Sequence, residues 1–261
     1  MPDNFITALL LAGLAGLASS IGALLGVIGR VPGRRTLALG MGFSAGVMIM
    51  VAFACMLVEA QQVIGQWWGF VAFIAGMAGM LVLDVAIPHE YFAEKFATPG
   101  REKVFKAGML AAVGIGIHNF PEGIAVFAGG LHDINIGLAL AGAVALHNIP
   151  EGFAVSVPVY AATGSRSRAF WWGTLSGLAE PVGALLAGLV LYHFLNPVVV
   201  ACTMAATAGL MVFISLDELL PTAQAEGDGH LAIAGVIGGM AVMVAGLWFM
   251  GMLSPVKAPG Y

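Results

Sequence analysis

Residues 116–123 read Gly-Ile-His118-Asn119-Phe120-Pro121-Glu122-Gly123, and residues 145–152 read Ala-Leu-His147-Asn148-Ile149-Pro150-Glu151-Gly152. The string His-Asn-x-Pro-Glu-Gly thus occurs twice, its histidines 29 residues apart (147 − 118). Each copy sits in the middle of a stretch made mostly of Ala, Gly, Leu, Val and Ile. Those stretches, 106–129 and 134–160, each exceed the roughly 20 residues that carry an α-helix across a bilayer. Six further stretches meet the same requirement: 5–29, 36–59, 68–87, 168–194, 197–221 and 231–253. The expected fold is an all-α integral membrane protein, one transmembrane domain over 1–261 with eight transmembrane helices.

Composition supports the membrane reading. Sixty per cent of residues are hydrophobic and 9% charged, with a mean hydropathy of +0.96. A globular domain carries about a quarter charged residues, so this chain cannot build an ordinary water-facing surface. A soluble enzyme, a secreted module and a nucleic-acid binder working through a basic patch are all excluded. Cys55 and Cys202 lie in apolar stretches, so no disulfide framework is expected. The first span follows Met-Pro-Asp-Asn, without the positive region of a cleavable signal, and reads as a retained helix.

The breaks between spans hold the basic residues. Arg30, Arg34 and Arg35 follow the first, Lys95, Arg101, Lys103 and Lys106 the third, and Arg166 and Arg168 the fifth; Lys257 alone follows the eighth. With eight spans, nine of the ten fall on one face. The positive-inside rule makes that face cytoplasmic, with the loop 88–105 on it and both termini outside.

The middles of spans four, five and six fall near residues 117, 147 and 181, so His118, His147 and Glu180 lie close to mid-depth. An ionisable residue there costs at least ~2.5 kcal/mol on insertion scales. No Lys or Arg lies at the depth of Glu122, Glu151 and Glu180. Either these carboxyls are protonated or a mobile cation meets them, with a divalent metal the natural candidate. In His-Asn-x-Pro-Glu the His and Glu stand at i and i+4, on one helix face, and the Asn is i−3 to the Glu. Two such helices supply two His, two Asn and two Glu, and Glu180 completes the set, so a metal site is expected between helices four, five and six. Pro121, Pro150 and Pro181 lack an N–H, which frees the carbonyls of Ile117, Leu146 and Gly177 to line a cavity. Imidazole with carboxylate suits Zn²⁺, Fe²⁺, Mn²⁺, Co²⁺ and Ni²⁺ better than Ca²⁺ or Mg²⁺.

The repeated motif resembles the signature of the ZIP family of metal-ion transporters. Leu-Ala-Glu180-Pro181 and Ile214-Ser-Leu-Asp217-Glu218-Leu-Leu-Pro221 are similar to the family's bacterial ZupT-type branch, and the likeness spans the chain. The resemblance implies a binuclear site. His118, Glu122, His147 and Glu151 would hold one ion, joined by Met48 on span two; Asn119, Glu122, Asn148, Glu151 and Glu180 would hold the other. Asn148 stands where some relatives carry an aspartate, which lowers the charge of the second position. The resemblance also implies residence in a bacterial inner membrane, a homodimer, and uptake into the cytoplasm by alternating access. In an elevator-type motion, spans one, four, five and six would move against two, three, seven and eight.

Four residues are candidates for the path to and from the centre. Asp217 and Glu218 are read at the outer end of span seven, Asp84 near the cytoplasmic end of span three, and His89 with Glu90 and Glu94 in the loop after it. The function expected is a secondary transporter of divalent transition metals, chiefly Zn²⁺ and also Fe²⁺, Mn²⁺, Co²⁺ or Cd²⁺, with pH-dependent flux. The ion is substrate; no prosthetic group, nucleic acid or nucleotide is expected, and no GxxxxGK[ST] phosphate loop is present. A membrane metalloenzyme is the rival from another class, but HExxH is absent. An exporter of the same ions would use a similar site, whereas a proton or monovalent-cation carrier needs fewer ligands than this set of polar groups and imidazoles supplies.

Overall fold

A computed structural model describes residues 4–86, 96–191, 196–226 and 228–249. Its elements are α1 (Phe5–Val27), α2 (Arg34–Val51), α3 (Leu57–Ile64), α4 (Gln66–Ala86), α5 (Glu102–His132), α6 (Ile134–Thr163), α7 (Arg166–Gly177), α8 (Ala179–Leu186), α9 (Pro197–Ile214), α10 (Leu220–Glu226) and α11 (Gly229–Phe249). No strand occurs among the described residues. One-turn π segments, Ala52–Met56 and Ser215–Leu219, join α2 to α3 and α9 to α10 without ending the helix. Ends follow local chemistry. The Asp133 side chain accepts from Asn135 N–H at the start of α6, and Gly164, at a φ of +65° that favours glycine, ends it.

Seven helices among the described residues are long and apolar enough to cross a membrane. They coincide with seven of the expected spans, within a few residues at each end. The stretch expected as span six, 168–194, is instead divided. α7 stops at Gly177, Leu178 forms a turn, and α8 restarts at Ala179, followed by a π segment at Ala187–Leu191. Pro181 cannot donate to the Gly177 carbonyl, so the ladder weakens where the turn occurs. A span-length hydropathy window averages across this point and does not register a break one residue wide. Pro121 and Pro150, by contrast, sit inside unbroken helices.

The helices pack in two sets. In the first, α1 lies along α6, α5 contacts α6 and α8, and α7 contacts α1 and α6. In the second, α2 lies along α11, α9 along α4 and α3, and α10 on α2. The sets meet chiefly where α2 touches α6 and α9 touches α5.

Glycine makes the interior of each set different from the seam between them. A Cβ at Gly123 would lie 1.9 Å from the Glu180 carbonyl oxygen, and one at Gly152 1.9 Å from that of Ser19, both within the first set. In the second set, Gly46 faces the Val236 carbonyl at 2.1 Å and Gly76 the Ala206 carbonyl at 1.8 Å. Backbone therefore touches backbone, the close approach that small residues allow in membranes. Across the seam, Gly40 meets the tip of the Phe153 ring and Gly114 the tip of Ile214. Gly123→Val is accordingly expected to cost at least the ~1–3 kcal/mol of an overpacked core. Gly142→Val, with nothing within 4 Å of its Cβ, is expected to be neutral. Thermal melting of the two purified variants in detergent checks the contrast.

Candidate metal centre

The two His-Asn-x-Pro-Glu-Gly copies face each other where α5 and α6 cross. His118 Nε2 lies 2.9 Å from Glu151 Oε1, and His147 Nε2 lies 3.2 and 3.1 Å from the two Glu122 oxygens. Each histidine thus pairs with the glutamate of the other helix. The i, i+4 spacing put His and Glu on one face of their own helix but did not specify this exchange. All six motif side chains and Glu180 are buried.

Helix α8 brings in Glu180. The Asn148 amide donates to Glu180 Oε2 at 2.7 Å and to the Ala15 carbonyl of α1 at 2.9 Å. The Asn119 amide donates to the Ser176 carbonyl at 3.3 Å, beside the turn at Leu178. One asparagine therefore fixes a carboxylate, and the other occupies a carbonyl near the helix break.

The unpartnered atoms are the more informative ones. Asn119 Oδ1, Asn148 Oδ1, Glu151 Oε2, Glu180 Oε1 and His118 Nδ1 are all buried without a hydrogen-bond partner. A buried polar atom left unpaired costs about 1–3 kcal/mol, and native proteins keep few. Here four oxygens and a ring nitrogen are left so within one motif pair and its neighbour. The four oxygens come from residues that the sequence reading assigned to the second ion position. They are electron-pair donors with no N–H or O–H to satisfy them, and a divalent cation is what such a set can hold.

Met48 is fully buried on α2. One turn earlier, the Ser44 hydroxyl donates to the Pro150 carbonyl at 3.1 Å. Because α2 and α6 are antiparallel, a turn onward on one matches a turn back on the other. Met48 therefore stands at the level of Leu146 and His147.

Relatives agree with the motif. The sequence model of the family described as ZIP Zinc transporter matches residues 100–246. A zinc transporter ZupT of Corynebacterium efficiens is 47% identical, over 94% of this chain and 97% of its own. One of Streptococcus mutans is 44% identical, over 95% and 98%, and one of Akkermansia muciniphila 41%, over 92% and 96%. The chain belongs to the ZIP zinc transporter family. It is a multi-pass membrane protein of that family's helical kind.

Two further groups surround this ZIP motif pair. A cavity of about 60 Å³ adjoins Glu122 and His147 and is lined also by Cys55, Glu59, Met204 and Met243. Cys55 and Glu59 were not singled out from sequence. Their i, i+4 spacing at the end of span two was the available signal, hidden because Glu59 reads as a boundary residue. Cys55 lies in the π segment of that span, a distortion common at functional sites.

The second group is Asp84, Asp217 and Glu218, whose ligand oxygens all lie within 4.8 Å of one another. The sequence reading had put Asp217 and Glu218 at the outer end of the bundle and Asp84 at the cytoplasmic end. The structure corrects this: the three share one end. Spans three and seven are both odd-numbered and run the same way across the bilayer, so their carboxyl-terminal ends reach the same face. It is the end where α5 begins, and Lys106 Nζ lies 3.7 Å from Glu218 Oε1. Lys106 is twelve residues before His118, so the cluster stands about 18 Å from the motif pair along α5. His89 lies outside the described residues.

A cation held by the orphaned oxygens stabilises the folded state. Zinc at a hundred times its Kd should add about 2.7 kcal/mol, read as a raised melting temperature. Glu180→Gln and Glu151→Gln are expected to lose most of that rise, and Asp133→Asn, at a distant helix cap, to keep it.

Proposed function

We propose that the chain is a secondary carrier of divalent transition-metal ions, chiefly zinc, which it takes into the cytoplasm. The relatives named zinc transporters support zinc as substrate and a carrier rather than an enzyme. The observation that carries the reading is the group of buried, unpartnered oxygens around two reciprocal His–Glu pairs, without a cationic side chain among them. Such a cluster binds a cation without offering it a permanent counterpart, as release requires.

The ligands divide between two positions, as the motif implies. His118, Glu122, His147 and Glu151, with Met48, hold one ion; Asn119, Glu122, Asn148, Glu151 and Glu180 hold the other. Glu122 and Glu151 serve both, so filling one position alters the other. The span not among the seven long helices is the sixth, the divided segment around Leu178, and the whole chain forms one domain with both termini on the outer side of a bacterial inner membrane. Zinc reaches the centre past Glu59 and Cys55 and leaves past Asp84, Asp217 and Glu218. The ion is the substrate, no prosthetic group takes part, and two copies form a homodimer.

The packing supports an elevator-type motion. Every motif residue and Glu180 belong to the first helix set, in which backbones touch; across the seam to the second set, Gly40, Gly114 and Gly246 meet side-chain tips. A body locked by backbone contact moves as a unit, and a seam of side chains can re-form after a shift.

Zinc uptake into proteoliposomes tests the proposal. The wild type should show saturable flux, and His147→Ala and Glu151→Gln should each lower it at least tenfold while melting as folded proteins. Zinc that binds without crossing would overturn it. Because ligation competes with protonation of His and Glu, the KM for zinc should rise as pH falls from 7.5 to 5.5 at clamped potential. An unchanged KM over that range would count against ligation by these groups.

A further inference from the structure

The two helix sets do not close on each other along the whole seam. On one flank, α2, α6 and α11 with the end of α1 leave a groove of about 700 Å³. Its walls are apolar, with Leu39 and Phe43 from α2, Leu146 and Phe153 from α6, and Val242 from α11. Leu39 is 43% and Val242 52% exposed, so the groove opens outward. In a membrane-spanning chain, outward is toward lipid tails.

One end of this groove differs from the rest. Arg35 and Thr36, in the first turn of α2, belong to its lining. Arg35 is exposed, and no described carboxylate pairs with it. The first turn of α2 contains no acidic residue, and this is the face where nine of the ten Lys and Arg gather. A long apolar wall with a guanidinium at its mouth matches a molecule with a hydrocarbon tail and an anionic head. Guanidinium groups pair bidentately with phosphate, and basic pockets between membrane helices on the cytoplasmic side hold anionic headgroups.

We propose that this groove binds one anionic phospholipid, its phosphate on Arg35 and an acyl chain along Leu39, Phe43, Leu146 and Phe153. Arg35 to Phe43 is eight residues of helix, about 12 Å of tail. The groove reaches α6 at Leu146, Ile149 and Pro150, which interleave with His147, Asn148 and Glu151. The lipid therefore lies on the back of the helix that carries half of the central cluster, in the seam between the two sets.

The test measures lipid binding directly and does not depend on transport. Wild type, Arg35→Gln and Gly238→Leu are exchanged into phosphatidylcholine vesicles with or without phosphatidylglycerol, and retained lipid is counted by native mass spectrometry. Gly238 is chosen because a Cβ there meets nothing nearer than a Phe43 ring carbon at 4.0 Å, so leucine fills the groove without displacing backbone. The wild type should retain one phosphatidylglycerol per chain. Arg35→Gln should lower the preference for phosphatidylglycerol over phosphatidylcholine at least tenfold, and Gly238→Leu should abolish retention of either. Equal phosphatidylglycerol retention by wild type and Arg35→Gln overturns the proposal. So does equal retention by wild type and folded Gly238→Leu. Arg35 is on the surface, so its variant decides the headgroup contact even where the leucine variant does not fold.

Discussion

Three carboxylates, Glu122, Glu151 and Glu180, are packed together at the depth where a bilayer least tolerates charge, and no lysine or arginine accompanies them. Two are held by histidines reaching across from the opposite helix, and the third by the Asn148 amide. That holding is incomplete, since oxygens of Glu151, Glu180 and both asparagines remain unmatched. Ser44 and Ala15 bring side chain and backbone of two other helices into the network. The turn at Leu178 lets Asn119 bond the Ser176 carbonyl beside it.

The chemistry-bearing residues also divide with the packing. The histidines, asparagines and glutamates of the centre stand on α5, α6 and α8. Cys55 and Glu59 on one side, and Asp84, Asp217 and Glu218 on the other, stand on the second set. The motif side chains and Glu180 are thus grouped on one body, and the carboxylates and the thiol that flank them, with Met48, on the other. Lys106 is the exception, a first-set cation pairing with Glu218 of the second.

Much of this was legible in the chain. The repeat of His-Asn-x-Pro-Glu-Gly placed seven polar side chains, with Glu180, at one depth, because helix periodicity and hydropathy both speak to depth. What neither carries is which side chain meets which. The crossed pairing of His118 with Glu151 depends on how two helices rotate against each other. The interruption at Leu178 is a matter of one ψ angle in an apolar run. Asp217 and Glu218 were separable from their outer placement by counting alone, since odd-numbered spans share a direction and their ends lie beside Asp84. Glu59 was passed over because a carboxylate at the end of a span has an ordinary reading as its boundary.

The contrast between glycine contacts inside each set and side-chain contacts between them has a consequence for how such a protein diversifies. Positions such as Gly123 and Gly76 admit almost no replacement, and the ligands admit few. Phe153, Ile214 and Leu146 touch neither restriction: their tips rest on the other set and hold no ion. In the elevator-type motion proposed for this chain, exchanging them would alter the friction of the seam and leave the proposed ligands untouched. Under that proposal speed and affinity would be written in separate residues, and a lineage could retune one for a colder or stiffer membrane without disturbing the other.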